Sequence, residues 1–190
     1  MAGATTPIHT DGPSPPFPLG LRIMAPRSRL ERTLFRLQAQ HACLAWAFEA
    51  IRDRPGLVAE LGLGHGRTYD HLRNLLPDRE IYVFDRANEA YPDCQPPEPY
   101  LVIGDVKDTV PAMYDRLGGK VVLANTDLGT FDASLNPVIA AMVSEVVPPL
   151  MAPGGIIMSD LPLDLPDYER IALPPGAPAD AYRLYRKPAL

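Results

Sequence analysis

The sequence predicts a single α/β domain: a mostly parallel β-sheet with helices on both faces and an antiparallel hairpin at its C-terminal end. Three features carry that prediction. From residue 57 onward, short runs rich in β-branched and aromatic residues alternate with segments of helical periodicity, the pattern of parallel strands joined by crossovers. A glycine-rich turn holding Gly62, Gly64 and Gly66 stands between the first such strand and the helical stretch RTYDHLRNLL. Near the end, two strand-like runs flank the turn-rich PPGAPAD, which is how a hairpin reads.

At 190 residues the chain can bury one sizeable core and is short for two. Residues 1–26 contain Pro7, Pro13, Pro15, Pro16, Pro18 and Pro26 without hydrophobic periodicity, so a disordered or extended tail is expected there. Met24 opens MAPRSRLERTLF and is an alternative start. The folded domain is expected over residues 27–190. Ser28 followed by Glu31 reads as a capping box that opens a helix over residues 28–53. Along it, Leu30, Leu34, Leu37, His41, Leu44, Phe48 and Ile51 form a heptad seam, and Phe35, Ala39, Ala42 and Trp46 form a second stripe beside it. A helix lying on a sheet needs one apolar stripe, so the other is free to meet substrate or a symmetry mate. This helix is therefore expected to wall the ligand site and to take part in a homodimer contact, with the assignment of the two stripes open. In the core, over residues 57–190, strands are expected at 57–61, 80–84, 100–103, 120–124 and 155–159. Helices are expected at 67–76, 106–117 and 134–151, and the hairpin strands at 168–173 and 181–187.

Composition narrows the function classes. Hydrophobic residues make up 46% and charged residues 22% of the chain, and no apolar run approaches the roughly 20 residues that span a bilayer. The first 20 residues lack the basic start and apolar stretch of a signal peptide. A cytoplasmic protein with no membrane partner is expected, with Cys43 and Cys94 as reduced thiols. A net charge of -5 argues against nucleic acid, which needs a basic surface to displace counterions. One local exception is the group Arg22, Arg27, Arg29, Arg32 and Arg36, opposed only by Glu31; it reads either as a solvated helix face or as an attractor of an anionic substrate. His9, His41, His65 and His71 are scattered, and none stands at a metal-ligand spacing with either cysteine.

The chemistry-bearing residues gather at the strand ends. VAEL runs directly into Gly62, Gly64 and Gly66, and glycines there permit positive φ and close approach of a ligand to the backbone and to a helix N-terminus. A dinucleotide fingerprint needs glycine at position 67, where this chain has Arg67. Asp85 ends the next strand, IYVFDR; it is placed to accept hydrogen bonds from two ribose hydroxyls, although a turn aspartate would look the same. Asp105 follows the third strand, with Asp108 three residues on, which is also a good helix start. NTDLG, with Asp127, ends the fourth.

The GxGxG loop and these acids resemble class I S-adenosylmethionine (SAM)-dependent methyltransferases, over the chain from about Ser28 to the C-terminus. ELGLGHGRTYDHL, IYVFDR and DLG together are similar to a family of small bacterial methyltransferases of about this length. The resemblance implies a Rossmann-like domain that binds SAM and releases S-adenosylhomocysteine. It further implies that Glu60 contacts the cofactor amino group, directly or through water, that Gly62, Gly64 and Gly66 wrap the cofactor, and that Asp85 holds its ribose. Asp105 would accept the adenine amino group, and the Val106 N–H would meet a ring nitrogen. Asp127, or the backbone beside it, would hold the methionine end and help form the acceptor site. The family's loop often has asparagine where this chain has His65, so no family role carries to that position.

The reaction expected is in-line transfer of the sulfonium methyl group to O, N, S or C of a small-molecule acceptor. The leaving thioether is neutral and needs no acid, so holding the reacting atoms at about 3 to 3.5 Å supplies most of the catalysis. A base is needed only for a protonated acceptor, and Asp127 and His65 are the candidates. Asp127 and Asp160 resemble the magnesium-binding carboxylates of catechol O-methyltransferases, but Leu161 stands where that family has asparagine; no metal is expected. The alternatives are an NAD-dependent oxidoreductase on a similar sheet and a non-catalytic SAM-binding protein.

Overall fold

A computed structural model describes residues 27–189. The expected tail over residues 1–26, the start at Met24, and Arg22 lie outside the described residues. The chain forms α1 (Arg29–Ile51), β1 (Leu57–Leu61), α2 (Arg67–Leu75), β2 (Ile81–Asp85), β3 (Leu101–Ile103), α3 (Val106–Ala112), α4 (Tyr114–Leu117), β4 (Val121–Thr126), α5 (Asn136–Val146), β5 (Met151–Ser159), β6 (Glu169–Ile171) and β7 (Arg183–Arg186). The seven strands make one sheet in the order β3-β2-β1-β4-β5-β7-β6. β1 to β5 are parallel, and β7 runs antiparallel between β5 and β6. This is the Rossmann-like sheet with a terminal hairpin that the alternation predicts.

The central strands are buried on both faces, as parallel strands covered by helices must be. One face packs Ala59, Leu61, Phe84 and Ile157 against α3 and α5. The other packs Val58, Val83, Leu123 and Met158 against α1 and α2. Each fully buried aliphatic side chain contributes about 1.5 to 3 kcal/mol relative to exposure.

α1 begins as expected: the Ser28 N–H donates to Glu31 Oε2 at 2.8 Å, and the Glu31 N–H donates to Ser28 Oγ at 3.2 Å. Its buried line is not the heptad seam. Ala39, Cys43, Ala47 and Ile51 face the sheet at steps of four, with Leu44 beside them, while Leu30, Leu34 and Leu37 are 79%, 51% and 37% exposed. Small residues at that spacing let the helix approach the strands closely. The turns before Ala39 overhang the C-terminal edge of the sheet, so their leucines have no strand to cover. His41 is exposed, its ring 5.2 Å from that of His71.

The three largest departures from the expected boundaries lie near prolines. The helix expected over residues 106–117 divides at Met113, two residues after Pro111, which α3 accommodates in its last turn. α5 ends at Val146, and Pro148 and Pro149 lead into a tight 3-10 turn. β5 therefore starts at Met151, not 155, and its register against β4 shifts around Pro153 and Gly154.

Candidate functional site

The chain leaves β1 for α2 and leaves β4 toward α5, so a crevice opens between these strand ends, where open α/β sheets bind ligands. It holds a cleft of about 380 Å³. The glycine loop forms one wall. Gly62 has φ 95°, and a Cβ there would stand 2.6 Å from the Asp127 carbonyl oxygen. Gly66, the N-cap of α2 at φ 82°, would meet the Cys94 carbonyl oxygen at the same distance. No other residue fits either position without moving backbone. At Gly64 nothing stands within 4 Å of a Cβ, because that position faces the cleft.

Of the residues singled out from the sequence, Gly62, Gly64, His65, Asp85, Asp105, Val106 and Asp127 line this one cleft. Gly66 shapes the loop from behind. Glu60 is 0% exposed beneath it, and neither of its carboxyl oxygens has a hydrogen-bond partner. Burial, then the charges of Asp127 and Asp85, push its pKa well above the ordinary carboxylate range. The Asn125 side chain, in register with Glu60 across β1 and β4, is also buried without a partner.

Asp85 is already engaged by the protein. Its Oδ2 accepts from the Leu63 and Gly64 N–H groups at 2.6 and 3.0 Å, and its Oδ1 accepts from the Arg86 N–H at 2.6 Å. The carboxylate thus latches the glycine loop to the end of β2. Asp105 does cap α3, accepting from the Lys107 N–H at 3.2 Å, while it also lines the cleft and pairs with Arg86 at 3.4 Å. The capping reading of that residue holds, and its carboxylate also borders the cleft. The Arg86 side chain is 79% exposed, and such a pair contributes about 0 to 1 kcal/mol.

α1 closes the cleft through Asp127. Arg36 donates to both carboxylate oxygens, at 3.1 and 2.8 Å, and Gln40 Nε2 donates to Asp127 Oδ2 at 3.1 Å and to Thr68 Oγ1 at 3.2 Å. Gln40 is buried in the helix's core-facing stripe, and a polar residue four after Arg36 on such a stripe is the signal that could have marked both. Asp160, after β5, accepts from the Gly129 N–H at 2.9 Å through Oδ2, and its Oδ1 is buried without a partner. Burial, then the neighbouring Asp127 charge, raise its pKa to about 7. The Tyr182 hydroxyl belongs to the same group, raised by burial, then by Asp127 and Asp160; its place in the hairpin carries no sequence signal. Among the described residues, no three His, Cys, Asp or Glu side chains converge as a metal-binding group. None of the described helices is long and apolar enough to cross a membrane.

Beyond Arg36, Gly129 and Thr130, which border both, lies a second chamber of about 440 Å³ with Asp160, Phe35 and Phe131 on its walls.

Comparison with known proteins agrees with this architecture. The chain is similar to the crystal structure of an S-adenosyl-L-methionine methyl transferase from Silicibacter pomeroyi DSS-3, at 40% identity over 85% of this chain and 99% of that one, with a TM-score of 0.83. At the level of fold alone it is similar to MycE, a methyltransferase of mycinamycin biosynthesis seen with Mg and S-adenosylhomocysteine. There the identity is 14%, over 86% of this chain and 49% of that one, at TM-score 0.53. It also shares its fold with the antibiotic-resistance methyltransferase Kmr, at 14% identity over 87% and 95% of the chains and TM-score 0.50. No functionally curated protein matches in sequence. A family model described as S-adenosyl-L-methionine methyltransferase matches residues 27–187, nearly the whole described chain; this SAM-dependent enzyme therefore belongs to the S-adenosyl-L-methionine methyltransferase family.

Proposed function

We propose that the chain methylates a small-molecule acceptor held in the second chamber, with SAM in the glycine-loop cleft. The observation that carries this reading is the shared border: Arg36, Gly129 and Thr130 line both cavities, so ligands in each would meet there. The residues fit the cofactor. Gly64 leaves space for a close ligand, and Asp85 and Asp105 offer acceptors to hydroxyl and amino groups. The orphaned, buried Glu60 is matched to a cationic amino group above it. When bound, SAM supplies an electrophilic methyl carbon on a sulfonium sulfur.

Asp127 is a positioning residue, not a free base, because Arg36 and Gln40 already hold its carboxylate. It fixes the overhanging turns of α1 against the cleft. His65 is exposed at the rim, its ring 5.2 Å from Tyr91, and it covers the cofactor. No metal takes part: Asp127 is committed to α1, and Leu161 supplies no donor beside Asp160.

The test is turnover of SAM, read as S-adenosylhomocysteine released, with and without EDTA. We expect the rate to survive the chelator and Asp127→Asn to lower it about 10-fold or more, since the loosened α1 misplaces both ligands. Loss in EDTA with recovery in magnesium would reverse the metal assignment. An undiminished rate in Asp127→Asn would remove the positioning role.

The exposed row Leu30, Leu34 and Leu37 supports a homodimer through α1. Light scattering at micromolar concentration is expected to give a dimer, and Leu34→Asp a monomer. A monomeric unmodified chain would refute the contact.

A further inference from the structure

The second chamber has a charge pattern that methyl transfer does not by itself require. From the start of α1 it receives Arg27, Arg32 and Arg36, with the Phe35 ring among them. Arg36 is bound to Asp127. The Arg27 guanidinium lies 4.0 Å from the Phe35 ring centroid, and neither Arg27 nor Arg32 forms an ion pair with any described residue. Two acids face them. Asp180 stands on the loop before β7, and Asp160 stands below with its buried, unpartnered Oδ1. Phe131 projects fully exposed from the loop after β4.

These features require different things of a ligand. Two unpaired guanidinium groups beside an aromatic ring suit a carboxylate, which each can bind through paired N–H donors. The Asp160 carboxylate on the wall offers an acceptor to an O–H, and a hydrogen bond to a charged group contributes about 1.5 to 3 kcal/mol. Phe35 and Phe131 offer flat apolar surface between the two. The chamber's 440 Å³ lies within the roughly 300 to 1,000 Å³ of small-ligand sites.

We propose that the acceptor is a small hydroxylated aromatic carboxylate. In this arrangement Arg27 and Arg32 hold its carboxylate, Phe35 and Phe131 flank its ring, and Asp160 faces its hydroxyl. The assignment rests on the two-chamber reading above. Methylation then forms a bond from the acceptor oxygen to the methyl carbon and returns the C–S bonding pair to sulfur. The hydroxyl proton passes to the Asp160 carboxylate, which lines the chamber, and from there to solvent. The raised pKa of Asp160 makes it a better proton acceptor than an ordinary surface carboxylate.

The full chain is first titrated with S-adenosylhomocysteine by calorimetry. Failure of that binding strikes the two-chamber reading itself and is read before any acceptor is added. The loaded protein is then titrated with para-hydroxybenzoate, para-hydroxybenzamide and benzoate. The carboxylate is expected to bind about 10-fold more tightly than the amide, and the difference to shrink below about 3-fold in the Arg27→Gln/Arg32→Gln variant. Asp160→Asn is expected to weaken para-hydroxybenzoate about 10-fold while leaving benzoate within about 2-fold. Equal binding of acid and amide, or no binding of either at about 10 mM, overturns the anionic acceptor. Equal effects of Asp160→Asn on the two benzoates overturn the hydroxyl contact.

Discussion

Asp85→Ala is expected to weaken S-adenosylhomocysteine binding by about 100-fold, the loss of one to two charge-assisted hydrogen bonds at about 1.5 to 3 kcal/mol each. Two effects combine in that figure. The carboxylate lines the cleft, where the proposed cofactor ribose would meet it, and it also anchors the Leu63 and Gly64 N–H groups. Without it the loop loses its tie to β2, and a ligand must order the loop as it binds. The two contributions separate by experiment. Amide hydrogen exchange at Leu63 and Gly64 in the free protein should quicken in Asp85→Ala, whether or not a ligand is ever added. Asp85→Asn keeps one acceptor oxygen for the loop but turns its other atom into a donor facing the Arg86 N–H, so it should fall between wild type and alanine. Equal calorimetric affinities for wild type and Asp85→Ala would reject the ribose assignment. Unchanged exchange would reject the latch.

What could be read in the sequence follows from how locally each feature is encoded. The glycine loop, Asp85 and Asp127 were legible because residue type and strand-end position coincide within a few residues. The sheet was legible for the same reason, each strand carrying its own apolar run between turn residues. The face of α1 was not. Heptad spacing marks apolar rows but does not say where the sheet beneath the helix ends, and Leu30, Leu34 and Leu37 lie past that edge. The Arg36–Asp127 pair joins residues 91 apart in sequence, and only the packing of α1 on β4 brings them together. The strand-end position of Asp85 showed that it would border the cleft but not its bonds to the loop, since these depend on the return of the backbone after Gly62. Pro148 and Pro149 stand just past the end of α5, where the expected helix ran on to residue 151; local chemistry outweighed apolar pattern there.

Glu60→Gln is expected to make the free protein more stable at pH 8 and to weaken its ligand. A carboxyl group at 0% exposure with no partner is held mainly as the neutral acid, and its pKa in the folded chain lies well above the unfolded value. Between those two values the native state binds more protons than the unfolded state, so stability is full at acid pH and falls as pH rises. Asp160, raised to about 7, acts in the same direction over the neutral range. Glutamine carries no charge at any pH. The variant should therefore match wild type near pH 4 and melt higher at pH 8, by about 3 to 6 °C for a gain on the order of 1 to 2 kcal/mol. Binding should move the other way, because a cationic amino group above Glu60 favours the ionised acid. Uptake of S-adenosylhomocysteine should then displace the Glu60 proton at pH 7, seen as a dependence of the calorimetric heat on the ionisation enthalpy of the buffer. Glu60→Gln should lose that dependence and about 10-fold or more in affinity. A buried acid that met the proposed amino group would trade stability for ligand recognition. If the variant binds as tightly as wild type with the same proton release, Glu60 has no part in the cofactor site. If its melting temperature tracks that of wild type from pH 4 to pH 8, the group is not held as the neutral acid.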